Sequence, residues 1–392
     1  MFAVFTTARK AALALLVLTA AALLSSCDTA MVGGGGGPSI NTSKPVPIAL
    51  LVPKGSGHDG DAILAQTLEN AARLAIADLQ NVQIDLRVYD TRGDAATAAS
   101  VASQAVSEGA RLILGPVYAE AANAAGLAVA GRQINVLSFS NNPTIAGGNV
   151  FVLGPTFENT ARRLSAYAVR HGKGNIVIVH GTDVAGQVGR NAIRTAMAET
   201  GAREVGAVGH ELSQQGVISA IPAIRDAVQT QGADAIFLTA TTAGALPLLS
   251  QLLPEAGVSP VTTQYIGLTR WDIPSQTLAL PGVQGGWFAM PDPVLSQQFR
   301  DRYAHTYGGP PHPIGGLAYD GIAAIGALVG AGKSDALTGA ALTQNAGFKG
   351  VSGIFRLRPN GSNERGLAVA TIQNKQVVVI DPAPSSFSGA GF

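Results

Sequence analysis

Apolar and polar positions divide the chain into three stretches of different character. Residues 11–24 form an apolar run interrupted only by Thr19, preceded by Arg9 and Lys10 and followed by Ser25, Ser26 and Cys27. A basic start, an apolar core shorter than the about 20 residues a spanning helix needs, and small residues at its end predict a secretory signal peptide over residues 1–26. Residues 27–44 lack any period and hold Gly33 to Gly37 with Pro38, Ser39 and Ser43. Such a composition buries little apolar surface and predicts a tether.

From residue 45 onward, short β-branched runs alternate with helical spacing. Val46, Ile48, Leu50, Leu51 and Val52 predict a buried strand over 46–52. Leu64, Leu68, Ala71, Ala75 and Leu79 recur every three or four residues and share one face of a helix predicted over 61–80. A strand over 83–89, a helix over 95–107 and a strand over 111–114 follow, the last stopping at Gly115-Pro116. Further strands are predicted near Val136 and over 176–180, 205–208, 235–238, 265–267 and 287–290, with helices between them. This alternation predicts an α/β fold of parallel sheets flanked by helices. Roughly 350 residues beyond the leader exceed one small core, so two lobes are expected. After residue 350 the rhythm changes: 353–357, 367–372 and 377–380, with a turn at Asn360-Gly361, predict an antiparallel meander. Residues 383–392 read as a flexible tail.

Composition narrows the possible tasks. Net charge is +1 and only 13% of residues are charged, which leaves no basic footprint for nucleic acid. Cys27 is the one cysteine, excluding an internal disulfide and any cysteine-built metal site. His58, His171, His180, His210, His305 and His312 show no i,i+4 metal spacing, so no metal or cofactor is expected. No Gly-x-Ser-x-Gly elbow occurs, and an enzyme is not expected. Residues 327–334 match a relaxed phosphate-binding loop, but those glycines end a helix rather than follow a strand.

Leu24-Ser25-Ser26-Cys27 resembles the bacterial lipobox. The resemblance implies acylation of Cys27 and a periplasm-facing protein held by lipid to the cell envelope, at the inner or the outer membrane. A second likeness is spread along the chain. Ala49 to Gly57, Val88-Tyr89-Asp90-Thr91, Leu112 to Pro116, Val136 to Pro143 and Val150 to Pro155 follow in an order and spacing similar to the Leu/Ile/Val-binding branch of type I periplasmic-binding proteins. That family implies a two-lobed clamshell: residues 45–156 plus 291–346 as lobe 1, and 157–290 plus 347–382 as lobe 2. It implies a small-molecule ligand in the interlobe cleft, polar or anionic, with an ABC permease as partner. The matching loops carry Ser56, Tyr118, Ala119, Ser138, Ser140 and Asn141 on the first lobe, and Asp183, Thr241, Thr242, Arg270 and Trp271 on the second.

Each of these loops has an ordinary alternative reading. Asp183 serves equally as a turn cap, Tyr118 as core filler, and Arg270-Trp271 either clamps an anionic or aromatic group or forms a surface loop. Two departures from the amino-acid binders stand out. Val117-Tyr118-Ala119 replaces a Ser/Thr pair, and Thr269 or Arg270 replaces the acid that would meet an ammonium group. The ending Gly350 to Leu357 with Asn360-Gly361 and Glu364 to Val369, together with Gly316 to Asp320, resembles penicillin-binding protein activators. This implies a second role, regulation of a peptidoglycan synthase through protein contacts.

Overall fold

The computed structural model describes residues 36–387. The expected signal peptide, the expected acylation site at Cys27 and residues 388–392 lie outside the described residues.

The first lobe is built on five parallel strands, β1 (Val46–Val52), β2 (Ile84–Asp90), β3 (Leu112–Leu114), β4 (Val136–Ser138) and β5 (Val150–Val152), in the order 2-1-3-4-5. Helices α1 (Asp61–Asp78), α2 (Ala95–Ser107) and α3 (Ala119–Val129) provide the crossovers. Strand β1 shows why its sequence reads as an unbroken apolar run. Ile48, Leu50 and Val52 enter one core while Ala49 and Leu51 enter another on the opposite face, so both sides of the strand are buried.

The second lobe repeats the plan. Helices α4 (Phe157–Arg170), α5 (Val184–Thr200), α6 (Gln214–Thr230) and α7 (Leu246–Glu255) alternate with β6 (Asn175–Gly181), β7 (Arg203–His210), β8 (Ala235–Leu238), β9 (Gln264–Gly267) and β10 (Trp287–Met290). These strands run parallel in the order 7-6-8-9-10, the same winding as in the first lobe.

The chain then returns to the first lobe. Helices α8 (Pro293–Tyr307), α9 (Gly316–Gly330) and α10 (Gly339–Leu342) cover its core through Phe299, Tyr303, Ile322, Ile325 and Leu342. Glycines 330 and 332 fall at the end of α9, with Gly332 at φ +76°, so the phosphate-loop pattern is a helix terminus. The expected single meander is divided between two sheets. Strands β11 (Phe348–Gly350), β12 (Gly353–Leu357) and β13 (Asn363–Arg365) form a separate antiparallel sheet. Strands β14 (Ala368–Gln373) and β15 (Gln376–Asp381) instead extend the second lobe from β10.

Three expected boundaries move accordingly. Residues 348–357 belong with lobe 1 rather than lobe 2, because Phe348, Phe355 and Leu357 are buried in the first core. The end of the expected tether is docked: Ile40 is buried, its N–H bonds Ser334 O at 2.8 Å, and Gly36 O accepts from Gly339 N and Asn135 Nδ2. The expected tail is engaged at its start, where Ala383 packs on the second core and Arg356 lies 4.4 Å from the centre of the Phe387 ring.

The chain crosses between lobes near residues 153–156, 291–292 and 366–367, and buried polar side chains knit these crossings together. Asn363 Nδ2 donates to Val152 O (2.8 Å) and Gly154 O (2.9 Å), and its carbonyl accepts from Asn159 Nδ2 at 3.0 Å. Arg365 donates to Leu153 O and, at 3.2 Å, to Asp320 Oδ2. Asp320 is fully buried and also accepts the Val351 N–H at 2.7 Å. Burial pushes its carboxyl above the ordinary carboxylate range, against the pull of Arg365 and that N–H. From the second lobe, Arg163 donates to Leu367 O at 2.7 Å and pairs with Asp381 at 3.0 Å. Replacing Arg365 with alanine strands the Asp320 charge, so chemical denaturation should show a loss of about 3 kcal/mol or more. An unchanged midpoint and slope would show that the pair contributes nothing.

Candidate functional site

In each lobe the strand order reverses once, between β1 and β3 and between β6 and β8. Loops leaving the carboxyl ends of those strands part there, which is where open α/β sheets hold ligands. Gly115 shapes the first crevice. It has φ +91°, and a Cβ there would overlap the Leu51 carbonyl, so only glycine lets the loop after β3 run this close to β1.

Asp61 is the centre of the first-lobe site. It opens α1 immediately after the β1 loop and is only 5% exposed. Ser56 Oγ donates to its Oδ2 and the Tyr118 hydroxyl to its Oδ1, both at 2.6 Å. Ser56 is itself fixed, since its Oγ accepts the His58 N–H at 3.0 Å. Tyr118 stands at the N-terminus of α3. Its phenol is pushed up to about 12, first by burial and then by the Asp61 carboxylate, which holds the proton on the oxygen. His58 Nδ1 lies 3.7 Å from Asp61 Oδ2. Burial lowers the pKa of His312, and the Asp61 charge opposes that shift.

The other expected first-lobe residues divide by role. Ser138 is fully buried, donating to Pro116 O at 3.0 Å and accepting the Ser140 N–H at 3.1 Å. Ser140 is 5% exposed and accepts the Asn142 N–H. Both hydroxyls brace their own turns. Ala119 is half-buried in the first turn of α3, and Asn141 is exposed.

On the second lobe, Asp183 caps α5 by accepting the Gly186 N–H at 3.4 Å, the structural role open to it from sequence. Thr241 is exposed, and its carbonyl accepts from Gly244 N and Leu246 N. Thr242 Oγ1 donates to Ile273 O at 2.9 Å. Arg270 is bridged by Asp272 through two hydrogen bonds, one of them Nε to Oδ1 at 2.9 Å. The expected Arg270-Trp271 clamp is not formed. Trp271 turns inward and is wholly buried in the second core, because Gly267 and Gly286 leave room where any Cβ would overlap the indole. A cavity of about 380 Å³ joins the lobes, with Arg270 and Ile273 on one side and Phe299, Pro311 and His312 on the other.

A family model described as periplasmic binding protein matches residues 45–376. The chain belongs to the periplasmic binding protein family. Solved structures agree with this assignment at the level of fold. A putative branched-chain amino acid ABC transporter protein from Rhodospirillum rubrum is 19% identical at a TM-score of 0.72, covering 86% of this chain and 100% of that one. An ABC transporter substrate-binding protein from Desulfitobacterium hafniense, solved with Leu, is 18% identical at a TM-score of 0.61, covering 86% and 100%. A solute-binding protein from R. palustris, solved with benzoate, is 16% identical at a TM-score of 0.54, covering 88% and 97%. No curated protein matches by sequence.

For a periplasmic binding protein, the residue that sequence reasoning missed is Asp61. An acid in a first helical turn looks like an ordinary partner for the helix dipole. Only the fold brings up Tyr118, 57 positions away, to hydrogen-bond the carboxylate.

Two consequences can be measured. In Asp61→Asn the Tyr118 phenol should titrate below about 12 while staying above its ordinary 10.0, because burial, the larger cause, remains; NMR of isotopically labelled tyrosine rings reads this, and an unmoved titration would break the assigned bond. Trp271→Ala should lower stability by about 3–5 kcal/mol in denaturant titrations, as a core cavity does; a loss within about 0.5 kcal/mol would return the ring to the surface.

Proposed function

We propose that the protein is a non-enzymatic solute receptor that holds a small polar molecule between its lobes and presents it to an ABC permease. The observation that carries this reading is the cavity joining Arg270 of one lobe to His312 of the other, beside the crevice that presents Asp61, Ser56 and Tyr118. Membership of the periplasmic binding protein family supports it, as does the likeness in fold to proteins solved with Leu and with benzoate. The reading includes acylation of Cys27, with the segment up to the docked Ile40 as the lead from membrane to receptor. No described helix is long and apolar enough to cross a membrane.

The likeness to penicillin-binding protein activators has a structural explanation in this chain. Asn363, Glu364 and Arg365, the centre of the matching segment, hold the crossings between lobes: Glu364 accepts from Arg162 at 2.9 Å and pairs with Arg356 and Arg358.

A binder of this kind gains stability by ligand linkage, about 2.7 kcal/mol at a hundredfold excess over Kd. Thermal unfolding of the mature protein against amino acids, amines, aromatic acids, peptides and muropeptides should therefore give one saturable rise in Tm. A flat response across all classes would count against the receptor role.

A further inference from the structure

Resting on the receptor reading above, the geometry points to a charge sense at the first-lobe crevice: Asp61 takes the positively charged end of the solute, an ammonium or amidinium group, in preference to a carboxylate. The Asp61 side chain is 7% exposed, and both of its described hydrogen-bond donors, Ser56 Oγ and the Tyr118 hydroxyl, are neutral. Among the described residues no lysine or arginine lies within 4.0 Å of it, and the one imidazole in that range is His58 at 3.7 Å. A carboxylate offers about four lone-pair sites, so two bonds leave acceptor capacity unused. A buried negative charge without a cation is unfavourable, and a solute cation supplies the missing partner.

The same bonds work against an anion. The hydroxyls of Ser56 and Tyr118 would be the natural donors to a solute carboxylate, and both point at Asp61 instead. That of Ser138 donates to Pro116 O, while Ser140 Oγ accepts the Asn142 N–H. A carboxylate approaching Asp61 meets a like charge and finds the hydroxyls of Ser56, Tyr118 and Ser138 already donating elsewhere. Across the cleft, Asp272 already bridges Arg270, while the exposed Arg300, which lines the same cavity, donates to Gln297 Oε1. His312 stays neutral more readily than an exposed histidine, because burial lowers its pKa.

Solute pairs that differ only in the charged end test the assignment: benzylamine against benzoate, and isoamylamine against isovalerate, titrated into the mature protein by calorimetry and ligand-observed NMR. The wild type should bind the amine of at least one pair about tenfold or more tightly than its acid, and Asp61→Asn should remove that preference. Asp61→Glu, which keeps the charge, should retain it. An acid that binds as well as its amine overturns the assignment alone, as does an amine preference that survives in natively folded Asp61→Asn. Should the asparagine variant not fold, the wild-type ranking decides. No binding by either amine overturns the assignment, and the receptor reading falls with it only if the thermal-unfolding panel is flat as well.

Discussion

Two sheets that share one chain must exchange it across a gap, and the crossing backbone must find partners for its polar groups away from any sheet. This constraint governs the molecule. At the crossings near residues 153–156 and 366–367 the carbonyls of Val152, Leu153, Gly154 and Leu367 receive side-chain donors from Asn363, Arg365 and Arg163. A buried carbonyl without a donor is costly, so these three residues decide where the chain may pass from lobe to lobe. Asp320 then fixes Arg365 and, by accepting the Val351 N–H, ties α9 to the same seam.

A junction anchored in this way sets how the two crevices face one another. Each lobe winds its strands in the same order, so each opens its crevice at the same end of its sheet. The cavity shared by Arg270 and His312 lies beside the crossing at residues 291–292 and includes Pro291, Val351 and Ser352. Packing of the crossings and formation of the cleft are therefore parts of one arrangement.

Much of the fold was legible because burial on both faces writes itself into sequence. Strand β1 and the strands at 235–238 and 287–290 fall where their apolar runs stand, since apolar residues fill both sides of each. The site was less legible, for a physical reason. Hydroxyls and carboxylates near strand ends look alike whether they face a ligand or their own turn, and only distance separates Ser56, which reaches Asp61, from Ser138, which reaches Pro116 O. Trp271 misled in the opposite way: beside Arg270 it suggested a clamp, while the two glycines that make its core slot stand at 267 and 286, the farther of them on another segment. The C-terminal strands divided between lobes because Phe355 and Leu357 face one core while Val369 faces another.

The central claim, that buried polar bonds at the crossings hold two otherwise independent lobes in register, is most directly tested by pulsed electron spin resonance. Spin labels at Leu127 on the first lobe and Val261 on the second, both exposed, would report the interlobe distance in a background where Cys27 is serine. The account predicts a narrow distribution in the otherwise unaltered protein and a clearly broader one in Asn363→Ala, with the circular dichroism of both lobes preserved. Equal widths in the two proteins would contradict it.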